Sequence, residues 1–307
     1  MPLDSEIISR LTMFDPLFYS MMNSKAYVID QNALREEGLI LPDVIVAEPD
    51  AIFVVPDVAF VEIIKGSDWE LTFRLSFKLL SAQVDRTFFS ISVYEALNTE
   101  LATKKPVEKA DLLPKEYQIL FRCVLREIAS GVDGACMAEL RAKAPQIRTE
   151  LLATELAPGV GKDMMSSLAS NWMNGKESEA LVLRLRKMPR GVDQDAFRLA
   201  ITKEIGDELF LHTMTTDQGM DIAAAQALLA ARPMILRYFY GQILDSLDWA
   251  KEGGVGNATE RLVYSRHFDM QHALIASYFD GLLTNDKRAN SIYNDLLTIL
   301  EMKDQAI

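Results

Sequence analysis

Four short runs of apolar, β-branched and aromatic residues predict β-strands in this chain. They lie at residues 26–30 (AYVID), 51–55 (AIFVV), 87–94 (TFFSISVY) and 281–284 (GLLT), each beside a helical pattern or a turn signal. The first two runs are apolar throughout, which is typical of strands that are covered on both faces. We therefore predict an α/β fold with a mainly parallel sheet that is covered by helices.

The middle of the chain has a different pattern. From about residue 107 to residue 251, apolar residues recur at spacings of three and four, which predicts helices throughout. Because this stretch separates the first three predicted strands from the fourth, we expect it to be an insertion. The α/β domain would then comprise residues 1–100 and 252–307, and the long all-helical insertion residues 101–251.

Charge limits the surfaces that the protein can offer to a partner. The chain has 307 residues, of which 49% are hydrophobic, so it can bury a large core. Its formal net charge of -12 argues against an extended phosphate-binding surface, and any contact with nucleic acid must be local. A carboxylate cluster that binds cations, or a basic partner, would account for the excess of acids, but neither follows from net charge alone.

The sequence also predicts a compartment. It has no run of about 18 apolar residues, and its first residues carry acids where a signal peptide would carry basic residues. We therefore expect a soluble, cytoplasmic protein that makes no membrane contact. Cys123 and Cys136 lack the spacing of a zinc knuckle, and we expect both to be reduced and structural.

Two acidic residues follow the first two predicted strands. Asp30 ends the first strand and is followed by Asn32, and ligands of parallel α/β sheets bind at the carboxyl ends of strands. The alternative is that Asp30 caps the next helix, as aspartate after a strand commonly does. Glu62 lies in the apolar segment VAFVEII, on the polar side of a helix or in a site, and Asp57 is the expected N-cap of that helix.

Two further acids flank the last predicted strand. Asp269 is expected near the N-terminal end of a helix, and Asp286 follows the strand two residues after Thr284. A helix that starts at Asp269 and runs back along the strand would bring these two acids to one edge. His267 and His272 flank Asp269, but a separation of five residues puts them on different helical faces, so they are poorly placed to share an ion.

Taken in order, these positions resemble the pattern of the PIN-like nuclease superfamily. Its members have a strand that ends in D-x-N, a glutamate in the helix after the second strand, an aspartate that opens a later helix, and a strand that ends in T-x-D. Asp30, Glu62, Asp269 and Asp286 match these places, and the segment DMQHALIASYFDGLLTND is the most similar part. The resemblance covers the two ends of the chain, whereas the long helical middle departs from the pattern. We also expect the family's final edge strand to be missing.

The resemblance implies a twisted parallel sheet flanked by helices and hydrolysis of phosphodiester bonds with Mg²⁺ or Mn²⁺. Carboxylates drawn together repel, by roughly 4 kcal/mol for a pair 4 Å apart at an effective dielectric near 20, and bound cations would relieve this. Asp30 and Asp286 are the expected innermost ligands, with Glu62 and Asp269 bound directly or through water. The residues expected to orient these ligands or to contact the substrate are Asn32, Thr284, Asn285, Lys287, Arg288 and His272.

The leading interpretation is a metal-dependent endonuclease that acts on RNA rather than DNA, as a toxin or defence effector. Its helical middle would gate the site or bind a regulatory protein. The alternative is a non-catalytic α/β scaffold whose helical insertion recognises another protein, and the scarcity of basic residues near the motifs favours it. An ion that binds only the folded state raises the melting temperature. A melting temperature that rises with added metal would therefore indicate a metal site, and an unchanged one would argue against it.

Overall fold

A computed structural model describes residues 24–34, 40–153 and 176–302 of the chain. The chain divides into two compact units. The first unit comprises Met1–Ile91, Lys109–Gln146 and Phe279–Asn285, and the second comprises Ser92–Glu108, Ile147–Tyr278 and Asp286–Ile307. In the described ranges, no helix combines the length and the apolar character that a membrane span requires.

The first unit contains a four-stranded parallel sheet. Its strands are β1 (Ala26–Ile29), β2 (Ile52–Pro56), β3 (Thr87–Ser90) and β4 (Gly281–Leu283). Their order across the sheet is β3-β2-β1-β4, and each neighbouring pair is parallel. The four predicted strands and the parallel α/β arrangement are confirmed. The third strand is shorter than predicted, because a helix begins at Val93.

Helices make up most of the rest of the described chain. In chain order they are α1 (Gln31–Leu34), α2 (Ile40–Ala47), α3 (Asp57–Ile64), α4 (Trp69–Ser81), α5 (Val93–Thr103), α6 (Lys115–Ser130), α7 (Ala135–Ala153), α8 (Lys176–Lys187), α9 (Val192–His212), α10 (Ile222–Ala230), α11 (Met234–Lys251), α12 (Glu260–Ala276) and α13 (Lys287–Glu301).

The core of the first unit lies between the sheet and its helices. All five residues of β2 are buried, as its continuous apolar run predicts. Phe73 and Phe77 of α4 are buried in the same cluster as Phe53 of β2, and the Phe77 ring lies 5.7 Å from that of Phe121 on α6. Each buried phenylalanine contributes roughly 1.5–3 kcal/mol to stability, so this cluster fixes α4 and α6 to the sheet.

A side chain covers the backbone of the edge strand β3. Gln118 of α6 accepts a hydrogen bond from the Phe89 N–H through Oε1 (2.8 Å) and donates one to the Phe89 carbonyl through Nε2 (2.7 Å). Its amide therefore makes the two hydrogen bonds that a neighbouring strand would make. Gln118 is buried, so this edge is closed to pairing with another chain at Phe89.

The two cysteines were expected to be reduced, and this expectation is wrong. Cys123 of α6 and Cys136 of α7 form a disulfide, with their Cα atoms 6.2 Å apart. The sequence shows no motif for this pair because the turn between two helices, rather than a short spacing, brings the thiols together. The disulfide joins α6 to the start of α7 within the first unit.

The second unit is helical over the residues that the structure describes. The helix pairs α9 with α11 and α12 with α13 pack together, and Leu185, Ile201, Ile243 and Leu247 form one buried cluster. The prediction of helices is confirmed from Lys115 to Lys251, apart from short connections, wherever that stretch is described. Residues 107–114 form no helix, and residues 154–175 lie outside the description. The predicted division into an α/β domain and an insertion stays a prediction.

We expect the substitution Gln118→Ala to lower the free energy of unfolding by about 1–3 kcal/mol, because the part-buried N–H and C=O of Phe89 lose their partners. Urea denaturation measures this change. Gln226→Ala on α10 is the matched control, since Gln226 is an exposed helical glutamine whose replacement should change stability by less than about 0.5 kcal/mol. Equal effects of the two substitutions would show that the edge contact adds no stability.

Candidate metal-binding site

Asp30 lies at the carboxyl end of β1, as its sequence predicts. Its N–H donates to the Leu283 carbonyl (3.0 Å), and its own carbonyl accepts from the N–H groups of Ala33 (3.0 Å) and Leu34 (3.3 Å). The residue thus ends the pairing of β1 with β4 and begins α1. Its side chain is only 3% exposed, and a carboxylate so deeply buried is stable only with hydrogen-bond donors or cations around it.

Two side chains predicted to orient ligands meet this carboxylate. The Thr284 hydroxyl donates to Asp30 Oδ2 at 2.6 Å, and the Asn32 amide donates to the same oxygen at 3.4 Å. Thr284 follows β4, and β4 pairs directly with β1, so the sheet itself brings Thr284 to Asp30. The D-x-N segment and the threonine of T-x-D therefore form one cluster.

Glu62 brings a second carboxylate to the same place. It lies on α3, which follows β2, the other neighbour of β1 in the sheet. One of its carboxylate oxygens lies within 4.8 Å of a carboxylate oxygen of Asp30. Its side chain is 16% exposed, and Lys65 Nζ lies 3.9 Å from Glu62 Oε1. Lys65 is not among the residues predicted from the sequence, although its separation of three residues from Glu62 indicates such a contact.

The start of α3 differs from the expectation in one detail. Pro56, not Asp57, is the N-cap, and Asp57 is the first helical residue. The extended backbone of Pro56 (φ -75°, ψ 151°) lets the strand run directly into the helix. The prediction of Asp57 as N-cap is therefore wrong by one residue.

The electrostatics of the two carboxylates favour a bound cation. Two negative charges within 4.8 Å of each other repel by roughly 3 kcal/mol or more at an effective dielectric near 20. Carboxylate and hydroxyl oxygens are hard ligands, which Mg²⁺ and Mn²⁺ prefer to softer donors. The carboxylates of Asp30 and Glu62 therefore fit an ion of this class.

Asp269 does not open a helix. It lies in the middle of α12 and is half-buried, within the second unit. The helix begins earlier because the side chain of Thr259 caps it, accepting a hydrogen bond from the Leu262 N–H. The expectation that Asp269 lies at a helix N-terminus is wrong, and its role as a ligand stays a prediction.

Asp286 is the N-cap of α13. Its Oδ1 accepts hydrogen bonds from the N–H groups of Arg288 (2.6 Å) and Ala289 (3.1 Å). This is the structural role that aspartate before a helix commonly has. The role of Asp286 as an innermost ligand stays a prediction. The role of the exposed Asn285 in orienting ligands or contacting the substrate also stays a prediction.

The two basic residues after Asp286 differ in their surroundings. Lys287 is exposed, whereas the Arg288 guanidinium forms an ion pair with Asp245 and lies 3.7 Å from an Asp248 carboxylate oxygen, both on α11. Burial raises the pKa of Asp245 above its ordinary value, although Arg288 opposes this shift. A phosphate contact by Arg288 would compete with two carboxylates of the second unit.

The two histidines of α12 are both buried. His272 Nδ1 lies 2.9 Å from the Phe268 carbonyl, which places the ring proton on Nδ1 and makes Nε2 the acceptor nitrogen of the neutral ring. His267 Nε2 lies 3.0 Å from the hydroxyl of Tyr94. Burial lowers the pKa of His267 to about 4, so its ring is neutral near pH 7.

Comparison of the chain with protein-family models, with curated proteins and with solved structures finds no match in any of the three. The geometry of the site is therefore the basis for assigning its ligand. The first unit brings together Asp30, Asn32, Glu62 and Thr284 at the carboxyl edge of a parallel sheet. This arrangement is a candidate site for a hard divalent cation.

We expect Thr284→Val to lower the free energy of unfolding by about 1–2 kcal/mol, because the buried Asp30 carboxylate loses a hydroxyl donor while the shape of the side chain is kept. Thr298→Val is the control. The Thr298 hydroxyl donates to the carbonyl of Asn294 in an exposed turn of α13. Urea denaturation compares the two. A Thr284→Val protein as stable as the control would show that the contact with Asp30 is not important for the fold.

We expect stability to fall as the pH is lowered from about 6.5 to about 4, in part through His267. In this range the unfolded chain takes up a proton on the imidazole and the folded protein does not, so protons favour unfolding. His267→Gln should reduce this loss by roughly 2–3 kcal/mol. Urea denaturation at a series of pH values measures it, with His212→Gln, at an exposed histidine, as control. The same pH dependence in both variants would contradict the buried, neutral His267.

Proposed function

We propose that this protein is a metal-dependent nuclease of the PIN-like type. The observation that carries the proposal is the approach of Asp30 and Glu62, whose carboxylate oxygens lie within 4.8 Å at the carboxyl edge of the sheet. The parallel sheet flanked by helices is the architecture that the resemblance implies. Ligands bind at this edge in open parallel α/β sheets, so the place of the acids supports a functional site.

Each residue has a distinct task in this proposal. Asp30 and Glu62 supply carboxylate oxygens to Mg²⁺ or Mn²⁺, and Thr284 and Asn32 hold the Asp30 carboxylate in one orientation through their hydrogen bonds. A divalent ion held by these two carboxylates would activate a water molecule and offset charge on the phosphate. Asp269 and Asp286 remain proposed ligands, and His272 and Asn285 remain proposed residues of the site edge.

The proposed substrate is RNA rather than DNA, following the resemblance. The net charge of -12 restricts phosphate contacts to a small area. Lys65, which lies beside Glu62, and the exposed Lys287 are proposed phosphate contacts, whereas Arg288 would first have to leave its acidic partners. A role as a toxin or defence effector, with a regulatory protein bound to the helical part, belongs to the same proposal.

One observation favours the second candidate, a non-catalytic α/β scaffold. Asp286 caps α13 and Arg288 pairs with Asp245, so one acid of the motif and one predicted substrate contact have structural roles that need no metal. In a scaffold, Asp30 would serve only to join β1, β4 and α1. A cleavage assay with metal-binding controls decides between these candidates.

We expect the wild-type protein to cleave a mixture of structured RNA and single-stranded DNA in Mn²⁺ or Mg²⁺, with RNA as the better substrate, and to be inactive in a chelator. Asp30→Asn and Glu62→Gln should each reduce the cleavage rate by about a hundredfold or more, since each removes a charge that holds the ion. Asp43→Asn is the matched control, because Asp43 is an exposed aspartate on α2 of the same unit.

The melting temperature with and without Mn²⁺ completes this test. A rise in wild type and Asp43→Asn, but not in Asp30→Asn, is expected if the ion binds at Asp30. Such a rise without cleavage of either nucleic acid would overturn the nuclease and leave a metal-binding protein. The absence of both a rise in melting temperature and cleavage would favour the scaffold.

A further inference from the structure

A second group of potential metal ligands lies in the first unit, between α6 and α7. Cys123 and Glu127 are four residues apart on α6 and therefore share a helical face. Cys136 is the second residue of α7. One ligand atom of each residue lies within 4.8 Å of the others, and Cys123 Sγ is 3.8 Å from Glu127 Oε1. Two sulfurs and a carboxylate thus converge from two helices.

The carboxylate of this group is held firmly. Glu127 Oε1 accepts from the Cys136 N–H at 3.0 Å, and Oε2 accepts from the Met137 N–H at 2.8 Å. A Cβ atom at Gly134 would lie 2.2 Å from Glu127 Oε1, so the chain has glycine where the carboxylate lies against the backbone.

The surroundings would keep the two sulfurs close if the disulfide were opened. Arg141 of α7 pairs with Glu70 of α4 (2.6 Å) and with Asp133 (2.7 Å), and Arg74 of α4 also reaches Asp133 (2.5 Å). These ion pairs attach the turn between α6 and α7 to α4 independently of the disulfide. The N-terminus of α7 also favours negative charge on Cys136, so its thiolate is stabilised once it forms.

We propose that Cys123, Cys136 and Glu127 bind a zinc-class divalent ion when the disulfide is reduced, and that the disulfide is the metal-free form of this site. Two thiolates and one carboxylate are ligands that Zn²⁺ accepts in tetrahedral geometry, and water takes the fourth position. Soft sulfur donors disfavour Mg²⁺ and Mn²⁺, the ions that suit Asp30 and Glu62. The inference therefore does not depend on the proposed nuclease activity.

Conversion of the disulfide form into the metal-bound form requires an external reductant. An external dithiol transfers two electrons and two protons to the disulfide, so the S–S bond breaks, two thiols form and the dithiol becomes a disulfide. Binding of Zn²⁺ then forms two Zn–S bonds and releases the two thiol protons to solvent. Oxidation of the bound thiolates by a disulfide-containing compound restores the bond between Cys123 and Cys136 and releases the ion.

Cobalt(II) is a suitable probe, because its bonds to thiolate give a charge-transfer absorption that its bonds to oxygen do not. The full chain, reduced with a phosphine, should bind one equivalent of Co²⁺ with this absorption, and Zn²⁺ should displace it. The oxidised chain should show none. Cys136→Ser should lose the absorption, whereas Asp30→Asn should retain it, which separates this site from the proposed nuclease site.

Two further variants test the carboxylate. Glu127→Gln removes the charged ligand, and Gly134→Ala displaces the carboxylate without removing it, so each should weaken Co²⁺ binding by about tenfold or more. Circular dichroism of each reduced variant establishes that it is folded. If Cys136→Ser does not fold, alkylation of the reduced wild-type thiols replaces it and should abolish the absorption.

The proposal is overturned if the reduced, folded wild-type chain gives no thiolate absorption with Co²⁺. It is also overturned if the absorption persists after Cys136→Ser or after alkylation. Unchanged affinity in both Glu127→Gln and Gly134→Ala would remove Glu127 from the ligand set and with it the three-ligand site.

Discussion

The pairing of β1 with β4 is the interaction on which the candidate site depends. It joins two parts of the chain that are about 250 residues apart, with Tyr27 opposite Gly281 and Ile29 opposite Leu283. The Asp280 carboxylate accepts from the Ala26 N–H (2.8 Å), and the Asp280 N–H donates to the Ala26 carbonyl (2.8 Å), so the pairing begins with two hydrogen bonds.

The register of this pair places the small residue Gly281 opposite the large residue Tyr27. A Cβ atom at Gly281 would lie 2.8 Å from the ring of Tyr27, and the Tyr27 hydroxyl is itself held by Glu48 (2.8 Å). A slip of one residue would turn the side chains of a strand to the opposite face and remove the threonine from the aspartate. The glycine therefore permits the register that brings Thr284 to Asp30, without taking part in any chemistry.

Sequence patterns predicted the features that depend on local burial. The continuous apolar runs of β1 and β2 indicated buried parallel strands, and the carboxyl end of β1 indicated Asp30. The expected helix start near Asp269 was wrong, because the Thr259 side chain caps α12 further upstream. The ion pair of Arg288 with Asp245 and the disulfide depend on residues distant in sequence, for which periodicity carries no signal.

The two candidate ligand groups of the first unit differ in a way that has a physical cause. At Asp30 and Glu62 the donors are oxygens at the end of a sheet, where neighbouring strands bring acids together and the resulting repulsion favours a hard cation. At Cys123, Glu127 and Cys136 the donors lie on two helices, and a helix N-terminus stabilises the negative sulfur. Reduction can change the ligands of the second group only, because carboxylates have no comparable redox chemistry. The ion proposed at the sheet edge is therefore independent of the redox state of the protein, whereas the ion proposed between α6 and α7 requires the reduced state.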